Sequence, residues 1–159
     1  MNQQDDKEKA IHVPLMGLIY ENAARCLVWL GQGSDESDTA MYSVRVFAQT
    51  MSRMEIDPTR IDTLNASKEA LRRHGLPPMD HPRWQAVRDL QLRSWFQRLW
   101  TLQEIVLSKE AVLMCGTRNL PRDALTNLIR TAISKGMSSL VVPHYLTSPI
   151  LRRFNISAL

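Results

Sequence analysis

The stretch Ser94 to Ser108, SWFQRLWTLQEIVLS, narrows the possible folds more than any other part of the chain. Wound as a helix at about 100° per residue, it lines Trp95, Leu99, Leu102 and Val106 along one face and Phe96, Trp100, Gln103 and Leu107 along the next. More than half the circumference is then apolar, and a helix of that kind has to be buried. Gln103 has Leu99, Trp100, Val106 and Leu107 as its helical neighbours, so its amide needs hydrogen-bond partners from elsewhere in the fold. Glu104 has Trp100, Thr101, Leu107 and Ser108 around it, with no Lys or Arg at i±3 or i±4. A carboxylate on the rim of an aromatic wall is where shifted acidity and catalysis concentrate. A tryptophan-rich helix also serves as plain core, in which case Glu104 faces water or meets a distant arginine; the residues alone leave both readings open.

A chain of 159 residues, 44% hydrophobic and 23% charged, is one soluble domain able to bury a core. No apolar run approaches the roughly 20 residues of a membrane span. The first ten residues, MNQQDDKEKA, are polar and acidic rather than a secretory signal, so the expected location is cytoplasmic. Cys26 and Cys115 lie far apart, each in an apolar run and without a C-x-x-C, so buried reduced thiols are expected and no metal site. The net charge of +4 invites a nucleic-acid partner. However, Arg83, Arg88, Arg93 and Arg98 recur every five residues, which turns each about 140° from the last on a helix and leaves no basic stripe. No nucleic-acid function is expected.

Along the chain, residues 15 to 24 read as a helix, which Pro14 either opens as its first residue or kinks within a longer helix starting near Asp6. Cys26-Leu27-Val28-Trp29-Leu30 is short, continuously apolar and ends at Gly31, which predicts a strand buried on both faces. The following Gly31-Gln32-Gly33-Ser34 resembles a phosphate cradle only in part. Glu36 stands where a third glycine would fall, and Asp35, Glu36 and Asp38 repel an anion, so a Ser34 helix cap explains these residues better. A helix is predicted over 38 to 54, with Met41, Val44, Phe47, Ala48 and Met51 inward. Residues 55 to 82 read as a surface excursion holding a short helix at 65 to 74 that Gly75 stops. Asp80 beside His81 forms only a weak acid–base pair, because neighbours on a loop rarely converge on one substrate atom. A helix over 84 to 92 precedes the tryptophan-rich stretch, and Ala111 to Gly116 predicts a second buried strand. Two apolar strands joined by helices predict a parallel pair with crossover helices covering the sheet. Asn119-Leu120-Pro121 reads as the start of another helix, with Leu125, Leu128, Ile129 and Ala132 inward. The segment around Leu140-Val141-Val142 reads equally as strand or docked tail.

Three blocks carry a resemblance to a known family. Asn2-Gln3, Asp5, Glu8-Lys9, Val13-x-x-Met16, Ile19-Tyr20 and Ala23 close on Val28-Trp29-Leu30-Gly31. Trp95-Phe96, Arg98, Trp100 and Gln103-Glu104 form the second block, and Cys115-Gly116 the third. In order and spacing these resemble the fungal heterokaryon-incompatibility (HET) domain, with His12 where that family usually has Gln. The strand and Trp-Gly motif that open such domains, and the Trp-Ile-Asp strand that follows, have no counterpart here. The chain therefore looks like the C-terminal portion of a HET domain, expected over residues 1–135 with a tail at 136–159.

The resemblance implies a helix-rich α/β fold, a partial flavodoxin-like sheet distantly related to Toll/interleukin-receptor (TIR) domains, with parallel strands near 26–30 and 110–115. It further implies non-self recognition and programmed cell death, through a protein partner or self-association. Several TIR domains cleave NAD with a glutamate following an aromatic residue on a helix, and Trp100-x-x-x-Glu104 is similar. By that likeness Glu104 is the catalytic carboxylate, Trp100 and Gln103 line the site, and NAD is a substrate rather than a resident cofactor. The alternatives are a non-catalytic protein–protein interaction module and an inactive fragment.

Overall fold

Cys26–Trp29 (β1) and Ala111–Cys115 (β2) pair in parallel, Cys26 opposite Ala111 and Trp29 opposite Met114. The computed structural model describes residues 15–54, 68–98 and 107–142. Residues 15–22 form helix α1, which precedes β1. The crossover from β1 to β2 runs through Asp35–Ser52 (α2), Lys68–Arg73 (α3), Pro82–Leu90 (α4) and a single 3-10 turn at Ser94–Gln97. After β2 come Arg118–Pro121 (β3), Arg122–Ser134 (α5) and Ser138–Val141 (α6). The result is the expected α/β fold: mostly helix, with a small mixed sheet in the order β1-β2-β3.

The core forms where the inward side chains of the sheet meet α2 and α5. Cys26, Val28, Ala111, Leu113, Cys115 and Leu120 face Met41, Val44, Phe47 and Met51 of α2 and Leu125, Leu128 and Ala132 of α5, all buried in one cluster. Helix α2 is its spine, and the 3-4 spacing that predicts it is the stripe it buries. On its far side α4 adds Trp84, whose ring centroid lies 4.0 Å from that of Phe47. The indole Nε1 of Trp84 donates to the Pro77 carbonyl at 3.2 Å, fixing the proline-rich approach to α4. Buried Gln91 donates through Nε2 to the carbonyls of Val87 and Val141, tying α4 to α6. Leu140 to Val142 are buried, and the short helix α6 settles the structure of that segment.

Three expectations change. The first is the long helix over 94 to 108. Arg93 enters the Ser94–Gln97 turn from extended backbone, and Arg98 leaves it at φ −96° and ψ 122°, so a continuous helix does not form there. Trp95 is nonetheless buried, packed edge-on against Phe96 at 5.1 Å. Residues 99–106 lie outside the described residues. The second concerns β1, which buries Cys26 and Val28 but exposes Leu27 and Trp29, so only one of its faces is core. A continuous apolar run cannot distinguish those cases.

Strand β3 replaces the predicted helix start at 119 to 121. The chain reverses at once through Gly116 and Thr117, Gly116 taking φ +54°, and this sets Leu120 opposite Leu113 on the buried face. The helix then begins at Arg122.

Helix caps account for two other motifs. Ser34 Oγ accepts from the Ser37 amide at 3.3 Å, while Ser37 Oγ accepts from the Ser34 amide at 2.8 Å. His81 Nδ1 accepts from the Arg83 amide at 3.2 Å and caps α4, which gives that imidazole a structural task. In the first turn of α2, the backbone amide of Glu36 and the Ser34 side chain bond the Glu36 carboxylate and hold its pKa below the ordinary carboxylate value. A depressed folded-state value means the contribution is present above the unfolded value and is lost as pH falls through the folded one. Glu36→Gln is therefore expected to lower the urea midpoint at neutral pH and to converge with the parent in strong acid, a difference checked by urea titrations across that range.

Candidate functional site

Four described members of the resemblance, Leu30, Gly31, Cys115 and Gly116, meet at the carboxyl ends of the parallel strands. The ladder runs on past the strands, with the Leu30 amide donating to Met114 at 2.8 Å and the Gly116 amide donating to Gly31 at 3.0 Å. Gly31 has φ +104°, and a Cβ there would sit 3.2 Å from Arg93 Nη1. That nitrogen donates to the carbonyls of Leu30 at 2.8 Å and Gln32 at 2.9 Å, so one guanidinium clamps both sides of Gly31. Cys115 Sγ adds a weak donation to the Gln32 carbonyl at 3.6 Å. Residues more than 80 positions apart thus form one compact joint.

Gly116 lies directly against Gly33. A Cβ on Gly116 would stand 2.7 Å from the Gly33 nitrogen and 2.8 Å from its Cα. The space over the Gly33 amide is filled by protein backbone, and the Ser34 cap is in place, which supports the capping reading of Gly31 to Ser34 over a phosphate cradle. The carboxyl rim of an open α/β sheet is where such folds commonly place ligands.

Of the other family positions, Tyr20 packs partly buried against the core, Trp95 is buried, and Arg98 leaves the 3-10 turn. Asn2, Gln3, Trp100, Gln103 and Glu104 lie outside the described residues. Both cysteines are buried and outside any disulfide, and no group of three or more His, Cys, Asp or Glu side chains suited to a metal occurs among the described residues. No helix among them is long and apolar enough to cross a membrane.

Trp29, inside the Val-Trp-Leu-Gly motif, is 55% exposed, and Leu27 is 63% exposed. Their register partners on β2, Val112 and Met114, are only half-buried, so the four form a continuous apolar surface on the side away from α2 and α5. β1 is also the last strand of the described sheet on its side. Strands of a parallel sheet are normally covered on both faces. The sequence hides this surface, because an exposed Leu-x-Trp reads the same as a buried one. Arg93 gives no local signal either, since its fork reaches carbonyls 61 and 63 positions away.

The family model described as "Heterokaryon incompatibility protein (HET)" matches residues 1–104. The chain belongs to the HET family. Among curated proteins, it is 28% identical over 155 aligned positions to "Heterokaryon incompatibility protein 6, OR allele" of Neurospora crassa, an alignment covering 84% of this chain. The chain spans 22% of the length of that HET protein. No solved structure matches it. The family match ends at Glu104, yet Gly116 is hydrogen-bonded to Gly31, so the HET motif around Trp29 and the Cys115-Gly116 pair belong to one joint.

Proposed function

We propose that this HET chain serves in fungal heterokaryon incompatibility, in the cytoplasm, by associating with a second copy of itself through the outer face of β1 and so initiating cell death. The exposed Leu27 and Trp29 on the outermost strand of the described sheet carry the proposal. Apolar area is worth about 25 cal/mol per Å² once removed from water, and an outermost strand offers its backbone to another chain. Family membership and the Neurospora relative support the biological setting. The test is expression in fungal hyphae of the parent and of Leu27→Lys/Trp29→Lys, whose substituted side chains point away from the core. Growth arrest by the parent and normal growth of the variant is the expected result. Equal arrest by both would remove the β1 face from the mechanism.

The second reading is NAD cleavage, supported by the likeness of Trp100-x-x-x-Glu104 to the glutamate site of TIR domains. In that chemistry a carboxylate holds the ribose hydroxyls and stabilises the oxocarbenium-like charge as nicotinamide departs, while the aromatic ring packs on the substrate. Nicotinamide release by the parent and its loss in Glu104→Ala is the expected pattern. Equal release by both proteins would exclude Glu104, and no release by the parent would leave the non-catalytic interaction module.

A further inference from the structure

A second feature lies near the same rim. Arg45 of α2, Arg83 in the first turn of α4 and Arg118 at the start of β3 line one concavity of about 700 Å³, together with Asp38, Tyr42 and Asn119. Each arginine is positioned. Arg118 Nε donates to Asp38 Oδ2 at 3.0 Å, Arg45 Nη2 donates to the Asn119 carbonyl at 2.9 Å, and the Arg83 guanidinium stands 5.5 Å from the centroid of the Tyr42 ring. A guanidinium has five N–H donors, so these contacts hold the groups in place and leave donors facing the cleft. Three cations and one carboxylate leave an excess of two positive charges. Concentrating like charge in a concave surface favours a compact dianion. The volume falls within the roughly 300–1,000 Å³ of small-molecule sites. Tyr42, an exposed ring, forms a flat wall beside the charges.

We propose that this cleft binds a small phosphate-bearing molecule, its phosphate held by Arg45, Arg83 and Arg118. A phosphate monoester carries about −1.5 to −2 charges near neutral pH and accepts paired donors from guanidinium groups, which matches the excess charge and the donor type. The site uses none of the residues assigned to association, so Leu27→Lys/Trp29→Lys binds as the parent does.

Isothermal titration of the full chain at low ionic strength, with inorganic phosphate, ribose 5-phosphate and AMP as probes, tests this. Saturable binding is expected, weakened about tenfold by Arg45→Gln and by Arg118→Gln. Asp38→Asn, which removes the one opposing charge, is expected to tighten it. AMP binding more strongly than phosphate, with Tyr42→Leu cancelling the difference, supports the site and identifies a nucleotide stacked on the ring. Equal affinity for the three probes supports it as a reader of the phosphate alone. Tyr42, Arg45 and Arg118 are exposed, so thermal melts of the variants should match the parent. Absence of binding by all three probes up to millimolar concentration, or binding indifferent to the arginine substitutions, overturns the proposal.

Discussion

Trp84→Ala is expected to lower the unfolding free energy by about 3–5 kcal/mol, the usual range for deleting a fully buried tryptophan. The indole is 0% exposed and packs at a 35° tilt against Phe47 of α2. Deletion leaves a cavity between two helices of the crossover, and it frees the Pro77 carbonyl from Nε1. Trp84→Phe restores most of the apolar volume and loses only that hydrogen bond, so its cost should be much smaller. Urea unfolding of the three proteins gives the comparison, and a deficit below about 1 kcal/mol for the alanine variant would mean that α4 is not packed as described.

Gly116→Ala carries the second large effect, for a different reason. A left-handed conformation costs a residue with a Cβ about 1–2 kcal/mol. Here the added methyl group also meets the Gly33 backbone at 2.7 Å, and backbone does not rotate away as a side chain end would. Overpacking of this kind adds about 1–3 kcal/mol. Gly136→Ala is the control. It shares a positive φ, +68°, but a Cβ there meets nothing within 4 Å, so only the conformational part should appear. Equal midpoints for the two variants in chemical denaturation would contradict the close approach of the two strand ends.

Some of this architecture is legible in the residues and some is not. The strands at Cys26 and Ala111, their parallel pairing and helix α2 can be read because a short apolar run ending in glycine suits a buried strand, and a 3-4 stripe suits a helix lying on a core. The tryptophan-rich stretch shows the limit of that method. Periodicity indicates that Trp95 is buried, but it does not tell whether one helix or a 3-10 turn followed by extended backbone buries it. Strand β3 has the sequence Arg-Asn-Leu-Pro, with little strand propensity, and exists because the Gly116 turn delivers Leu120 to the core. The joint at Gly31 and Cys115-Gly116 is legible as family likeness, yet its physical basis, one arginine fork and two touching glycines, emerges only in three dimensions. The arginine cleft draws on three remote positions and leaves no local pattern to find.

The central claim is that the Leu27 and Trp29 face of β1 binds a second copy of this chain, and sedimentation velocity over a range of concentrations tests it most directly. The parent should sediment with a mean size that rises above the monomer as concentration increases, while Leu27→Lys/Trp29→Lys should stay monomeric with an unchanged melting temperature. Parent and variant both remaining monomeric, or both associating alike, would contradict the account.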